Sequence, residues 1–460
     1  MKTIRLLVLL SFAGVYAVSP GLALAEEVSP ALLLQRIEAL ESEVKILKRQ
    51  LEVKDEESVK KAPETPVVTA SSKEGFSIKS PDDAFKIRLR GYVQADGRSF
   101  LDNKKDIGTT DTFVARRVRP IVEGTVYKNF DFLLVPDFGN GTVVLQDGYA
   151  EYKEFGWAKI RAGKFKEPFG LERLQSDTVA NFAELGFPSA LAPNRDTGVL
   201  LHGDLFDNTV YYAVGAFNGA VDSGNTGSSD IDTNNDKDVA ARVFVQPFRN
   251  TGISALSGLG VGAAVTRGHN EGAQVPTLRS PGQATIFTYN TGITADGPHT
   301  RFSPQFYYYW NSLGLLGEYV VSDQEVGRAS TRTFEKIQND AWQIAGTYVV
   351  TGEDASYKGV TPKNPFDLTK GGWGAWELAA RYGELDVDNA AFALGFAGAT
   401  NSVSRAYGWG LGLNWYLNKN VKWVLDYDRT QFDGGSSIDG GSLDDRETEN
   451  VLLGRFQVAY

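Results

Sequence analysis

The feature that most constrains this chain is a two-residue alternation that recurs from Phe85 to the last residue, Tyr460. In Val451–Tyr460, Phe456, Val458 and Tyr460 fall on one face of a strand and Arg455, Gln457 and Ala459 on the other. Near its start, Phe85, Ile87, Leu89 and Val93 oppose Lys86, Arg88, Arg90, Gln94 and Asp96. Successive side chains of a strand point to opposite faces, so each segment has one apolar and one polar face. The apolar faces carry Trp and Tyr: Trp342, Ile344, Tyr348 and Val350 in one, Trp409, Leu411, Leu413 and Trp415 in another, Trp423, Leu425 and Tyr427 in a third. A soluble sandwich would leave too many of these rings in water. A closed barrel with lipid outside and water inside accommodates all of them.

The start of the chain predicts export. Lys2 and Arg5 precede an apolar run from Leu6 to Val18, and Ala23-Leu24-Ala25 offers small residues for cleavage before Glu26. This reads as a signal peptide over 1–25. No later segment reaches the ~20 apolar residues of a spanning helix. A membrane-spanning chain without such a helix must pair every strand in a closed barrel. The mean hydropathy of −0.24 is compatible with that, because barrel strands are apolar on one face only. There are no cysteines, which excludes thiol-based metal or redox chemistry. The net charge of −10 argues against nucleic acid as a partner.

After the signal comes a heptad pattern, with Ile37, Val44 and Leu51 at a positions and Leu33, Leu40 and Leu47 at d. Arg36 with Glu41, and Glu43 with Lys48, are opposite charges at g and the following e, as in a parallel coiled coil. A lone amphipathic helix on a tether is the other reading of so short a run. The expected organisation is a short coiled coil over 26–52, a linker over 53–84 containing Pro63 and Pro66, and a barrel over 85–460.

Seventeen strand candidates follow, near 85–98, 112–127, 130–138, 146–154, 157–165, 196–205, 208–218, 238–248, 257–268, 283–292, 300–310, 313–322, 340–350, 373–386, 405–417, 420–432 and 448–460. An odd number cannot bring both ends of the barrel to one side. The weakest, 283–292, sits inside a long connection, and without it short turns and long loops alternate in phase. The fold class predicted is therefore all-β: a sixteen-stranded antiparallel transmembrane barrel with a short N-terminal coiled-coil helix.

His202, His269 and His299 lie near no hydrolase or metalloprotease motif, so no catalytic residues, metal site or cofactor are assigned. The acidic stretch 229–238 mimics a calcium loop but has Asn235 in place of its glycine and Ala241 in place of its final glutamate. Basic residues gather instead on the strands: Lys86, Arg88 and Arg90, then Arg116, Arg117 and Arg119, then Lys159, Arg161, Lys164 and Lys166. Arg88 and Arg90 share the face opposite the lipid side, as do Arg117 and Arg119. A consistently basic lumen concentrates anions, and guanidinium matches phosphate or carboxylate oxygens bidentately. Ordinary lumen charge cross-linked to Asp96, Glu123 and Glu151 is the competing reading. The connection Lys166–Arg195 is long and apolar, with Phe182, Leu185, Phe187 and Leu191, and is expected to fold into the lumen as a constriction. Tyr357–Phe366 is a second candidate plug.

Several pieces are specific enough to be compared with a known family. Phe113-Val-Ala-Arg-Arg-Val-Arg119, Arg161-Ala-Gly-Lys-Phe-Lys-Glu-Pro-Phe-Gly-Leu-Glu172, Arg301–Trp310, Gly314–Val320 and Tyr357-Lys-Gly-Val360 resemble the phosphate-selective porin O and P family. The resemblance implies homotrimeric sixteen-stranded outer-membrane barrels with inward-folded loops and an arginine ladder feeding a basic constriction. Many members also carry a coiled coil like 33–51. Arg116 and Arg117 match the family's paired arginines, and Asp147 an acid near the constriction. Phosphate-specific members continue the Gly-Leu-Glu stretch with Lys, two serines and then Glu-Arg. Here the residues are Arg173, Ser176 followed by Asp177, and Glu184 followed by Leu185. An added carboxylate and a missing guanidinium both weaken a phosphate site.

The expected function is passive diffusion of small hydrophilic solutes, in particular anions such as phosphate or polyphosphate, through the outer membrane of a Gram-negative cell. The coiled coil would lie in the periplasm, and the partners would be lipid, small anions and two further copies of the chain. The anion pathway would involve Arg88, Arg90, Arg116, Arg117, Arg119, Asp147, Lys159, Arg161, Lys164, Arg173 and Ser176. The alternatives are a weakly selective general porin, or a barrel that anchors a tether between outer membrane and cell wall.

Overall fold

Sixteen strands close on themselves. In the computed structural model they are β1 (Lys86–Phe100), β2 (Thr112–Val126), β3 (Phe130–Asp137), β4 (Val144–Phe155), β5 (Ala158–Lys166), β6 (Arg195–Leu205), β7 (Val210–Phe217) and β8 (Asp238–Val245), followed by β9 (Leu259–Ala273), β10 (Ile293–Trp310), β11 (Leu313–Arg328), β12 (Thr333–Val349), β13 (Ala375–Asp386), β14 (Val403–Tyr416), β15 (Val421–Ser437) and β16 (Glu449–Ala459). Each pairs antiparallel with its neighbours in sequence, and β16 pairs with β1 from Val451 opposite Phe100 to Ala459 opposite Tyr92. The structure describes residues 30–60, 65–71, 75–101, 110–224, 234–437 and 443–460; the expected signal peptide and part of the acidic stretch 229–238 lie outside them.

The alternation sets the two faces. On β1, Ile87, Leu89 and Val93 are exposed to the outside while Gln94 and Asp96 are buried in the lumen. On β14 and β15, Trp409, Leu411, Trp423 and Leu425 face outward, and Arg455 and Gln457 of β16 face inward. Near the short-turn end the outer rings touch: Trp376 stacks on Trp415 at 5.0 Å, and Trp423 lies 4.6 Å from Phe456. Rings with polar tips suit the headgroup level. All sixteen expected strands are present. The discarded segment 283–292 contributes to a small hairpin, Thr277–Arg279 with Thr285–Thr288, that is not part of the barrel wall.

The described chain divides into two units, before and after Glu64. The first contains one helix, α1 (Pro30–Lys60). It runs past the expected limit at 52, because the charged residues after Leu51 contain no Pro or Gly to stop it. Ile37, Leu40, Val44, Leu47 and Leu51 are exposed along it. No described helix is long and apolar enough to cross a membrane. In the second unit, part of the stretch read as linker is ordered: Val67–Ser71 pairs with Gly75–Lys79, which in turn pairs with the start of β1. That start extends beyond the end of β16, and the hairpin covers its otherwise unpaired edge.

A charge on the lipid face should destabilise the wall. Leu411→Arg is expected to destabilise the barrel by about 2–4 kcal/mol if it lies near the bilayer midplane. Urea unfolding in lipid vesicles, read by tryptophan fluorescence, would measure it.

Candidate functional site

The lumen is organised by the connection between β5 and β6, residues 167–194. It leaves one side of the barrel and is fastened to the opposite wall. Glu318 of β11 accepts the amide N–H groups of Leu171 (2.6 Å) and Glu172 (3.2 Å). Gln343 of β12 donates to Glu172 (2.8 Å), and Arg381 of β13 to the Glu184 carbonyl (2.8 Å). Asn414 of β14 donates to the Asn181 carbonyl (2.8 Å). On β15, Lys422 donates to the Ala180 carbonyl (2.7 Å) and Asp426 accepts the Ala183 N–H (2.6 Å). Gln457 of β16 and Gln94 of β1 donate to the carbonyls of Thr178 (3.0 Å) and Asp177 (2.9 Å). A loop has no ladder of its own, so the wall's side chains satisfy its backbone. Gly186 lets the chain lie against the wall: a Cβ there would sit 1.8 Å from Oε1 of Gln343.

The outer side of this loop is apolar. Phe169, Phe187 and Leu191 pack with Leu278, Ile286 and Phe287 of the 274–292 connection, and with Val320, Ile337 and Leu385 of the wall. This dry cluster occupies the β10–β15 side of the lumen. The second expected plug also folds inward: the Tyr357 hydroxyl donates to the Leu171 carbonyl (2.5 Å), and Gln175 donates to the Tyr357 carbonyl (3.0 Å).

Beside the loop, against the β2–β4 wall, lies a cavity of about 380 Å³. Seven cationic side chains line it: Arg116, Arg117, Arg119, Lys166, Arg173, Arg195 and Arg279. Three carboxylates do so as well: Asp137, Asp177 and Glu184. Arg116 reaches the lumen through a β-bulge. Gln94 faces Arg117 and Ala95 faces Ala115, so Arg116 is the extra residue. It makes a bidentate pair with Glu184 at 2.6 and 3.0 Å. Arg119 pairs with Asp137 (2.6 Å), donates to the Tyr92 hydroxyl (2.6 Å) and bonds Asp177. The Tyr92 hydroxyl also donates to Asp177 (3.1 Å), and Arg117 lies 3.5 Å from it. Arg195 pairs with Asp147 at 3.1 Å. Three cations meet only backbone carbonyls among the described residues. Lys166 donates to Arg173 and Gln175 (2.7 Å each), Arg173 to Ser189, and Arg279 to Gln283 (3.0 Å).

Burial opposes the charge of Asp177, but Arg117, Lys166, Arg119 and Arg195 outweigh it and hold its carboxyl well below the usual range. Burial likewise opposes Glu184, and Arg116 outweighs it. Burial lowers the Arg173 guanidinium to about 10, still charged at neutral pH.

The residues singled out in the sequence divide into two sets. Arg116, Arg117, Arg119 and Arg173 meet in the cavity, with Asp147 behind Arg195. Arg88 and Arg90 instead pair with Glu123, Arg161 with Glu151 (2.7 Å), and Lys159 lies 3.6 Å from Asp204. Lys164 is buried and Ser176 is exposed, bonded to Thr178 (2.9 Å); neither lines the cavity. Arg195 and Arg279 were not singled out. The apolar Leu278, Ile286 and Phe287 mark 274–292 as a second inward fold, by the same argument that identified 167–194.

A sixteen-stranded barrel with an apolar outer face and a charged lumen narrowed by a loop defines a membrane channel of the porin class. The model of the family "phosphate-selective porin O and P" matches residues 85–460, and the chain belongs to that family. Porin O of Pseudomonas aeruginosa is 23% identical over 398 residues, 80% of this chain and 87% of that one. Among solved structures, the outer membrane channel DcaP of Acinetobacter baumannii shares the fold with a TM-score of 0.54 and 13% identity, covering 83% of this chain and 99% of that one. OmpT of Vibrio cholerae in its trimer form gives 0.51 and 14%, covering 82% and 100%. An anion-selective porin from Comamonas acidovorans gives 0.50 and 12%, also covering 82% and 100%. The chain is thus an outer-membrane porin.

Two predictions follow from the loop's fastening. A hydrogen bond contributes about 0.5–1.5 kcal/mol net, and removing one partner of a buried pair costs more because the other is left unsatisfied. Glu318→Ala should therefore release the loop and give larger, noisier single-channel currents through a barrel that still folds. Asp177 and Glu184 have carboxyls held low, so their stabilisation is complete above the unfolded value of about 4 and is lost as pH falls below it. Loop noise from loss of the Asp177 and Glu184 contacts should appear only below about pH 4, read from single-channel currents, and Glu184→Gln should abolish that component.

Proposed function

We propose that this porin passes small hydrophilic anions, phosphate and polyphosphate among them, by passive diffusion. The observation that supports the reading most is the charge balance of the cavity. Arg116, Arg117, Arg119 and Arg195 are matched by Glu184, Asp177, Asp137 and Asp147, while Arg173 and Arg279 have no carboxylate within ion-pair distance among the described residues. A water-filled passage with unmatched cations on low-dielectric walls concentrates anions. Several modest sites suit conduction better than one tight site. Arg88, Arg90, Lys159 and Arg161, whose charge is already matched by acids, stiffen the wall more than they select.

Asp177 acts as a built-in counter-ion. It stands where phosphate-specific relatives are expected to have a serine, and it occupies the guanidinium groups of Arg117 and Arg119. A permeating phosphate must compete with it, so the wild-type channel attracts anions without holding phosphate tightly. The mature chain would begin after a signal peptide at 1–25, with α1 in the periplasm. Its exposed heptad face suits a coiled coil between copies, and the trimer form of OmpT supports a homotrimeric assembly here.

Reversal potentials in a KCl gradient across planar bilayers test the reading. Anion selectivity is expected, and cation selectivity would refute it. Changing one unmatched charge at this range is worth ~1 kcal/mol, about five-fold in the chloride-to-potassium permeability ratio. Arg279→Gln should lower that ratio by about this amount and Arg88→Gln should leave it nearly unchanged. Asp177→Asn should raise it and sharpen block of the current by added phosphate.

A further inference from the structure

On the lumen face of β8, one arginine differs from the paired arginines of the wall. Arg161, Arg301 and Arg381 each hydrogen-bond a carboxylate. Arg242 does not: its Nε donates to Oε1 of Gln305 (3.1 Å), and its two terminal nitrogens have no hydrogen-bond partner among the described residues. Rings surround it instead. Its guanidinium carbon lies 4.8 Å from the centre of the Phe244 ring and 5.8 Å from that of Tyr211. Tyr307 is 4.9 Å from Phe244 and stacks on Tyr357 at 5.3 Å, with 25° between planes. Leu171 of the inward loop packs on the same cluster. Arg242 is 9% exposed, whereas Tyr211, Tyr307 and Tyr357 are half-buried.

A guanidinium that has shed most of its water and hydrogen-bonds no carboxylate gains by pairing with an anion's two oxygens. The rings beside it add an apolar, π-rich surface that favours offset or edge contacts with another ring. Inorganic phosphate would use only the first of these. We infer that the Arg242 cluster is a second solute subsite, distinct from the cavity beside the loop, and that it favours planar aromatic carboxylates. The carboxylate meets the terminal nitrogens of Arg242 while the ring lies against Tyr307 and Tyr211. This deepens the anion-channel reading and rests on it.

The test is the chloride current of the full-length channel in planar bilayers, titrated with benzoate and, for comparison, acetate, which has the same charge and no ring. One aromatic contact is worth about five-fold in affinity. Benzoate should therefore halve the current at about one-fifth the concentration of acetate. Tyr307→Leu and Arg242→Gln, each normalised to its own chloride current, should bring benzoate to the level of acetate, and Tyr307→Phe should keep the preference. Heat-modifiable gel mobility would confirm that each variant forms its barrel. Equal block by benzoate and acetate in the wild type, or a preference that survives both substitutions, overturns the subsite. With the reversal potential still anion-selective, such a result leaves the proposed function standing. A cation-selective wild type overturns both.

Discussion

The pairing of β16 with β1 is the constraint on which the rest of the structure depends. In hydrocarbon no water is present to satisfy an open edge, so a sheet of this kind is stable only when closed. The seam from Val451 opposite Phe100 to Ala459 opposite Tyr92 achieves that. Inside the lumen the seam is reinforced by Arg455 on Asp96, at 2.7 and 2.6 Å, and by Gln94 on Gln457 at 2.7 Å. Gln94 and Gln457 also hold the loop's backbone, so closing the wall and positioning the constriction use the same side chains.

Once the wall is closed, the loop 167–194 determines where solutes can go. It is held largely through its backbone groups, and its side chains differ in character on its two sides. Phe169, Phe187 and Leu191 join the dry cluster with the 274–292 hairpin, while Arg173, Asp177 and Glu184 line the wet cavity. The charged cavity therefore lies to one side of the lumen, and apolar packing fills the other. Low dielectric on the packed side strengthens the electrostatics of the wet side.

Lumen arginines are largely matched one by one, and the proposed selectivity rests on the remainder. A paired guanidinium such as Arg88 or Arg116 is rigid and offers little net attraction, whereas Arg173 and Arg279 meet only backbone carbonyls among the described residues. Asp177 stands as a competitor to a permeating anion at Arg117 and Arg119. On the proposed reading, such an arrangement attracts anions without holding them tightly.

How much was legible beforehand follows from the range of the interactions involved. The strand count, the two faces and the lipid belt depend on a two-residue period and on turn chemistry, both local, and Phe456, Trp409 and Arg455 point where the alternation places them. The inward loop could be recognised because an apolar outer connection has no stable place in water. Which basic residues share a cavity was not local. Arg116 enters the lumen only because a bulge breaks the alternation, and Arg195 and Arg279 come from segments far apart in sequence. Whether a given arginine is matched depends on acids brought by other strands, as Glu123 is to Arg88. The sequence alone determined a closed barrel narrowed by an inward loop. The tertiary structure alone decided which charges cancel, because cancellation depends on separations of a few ångströms between residues that no local pattern connects.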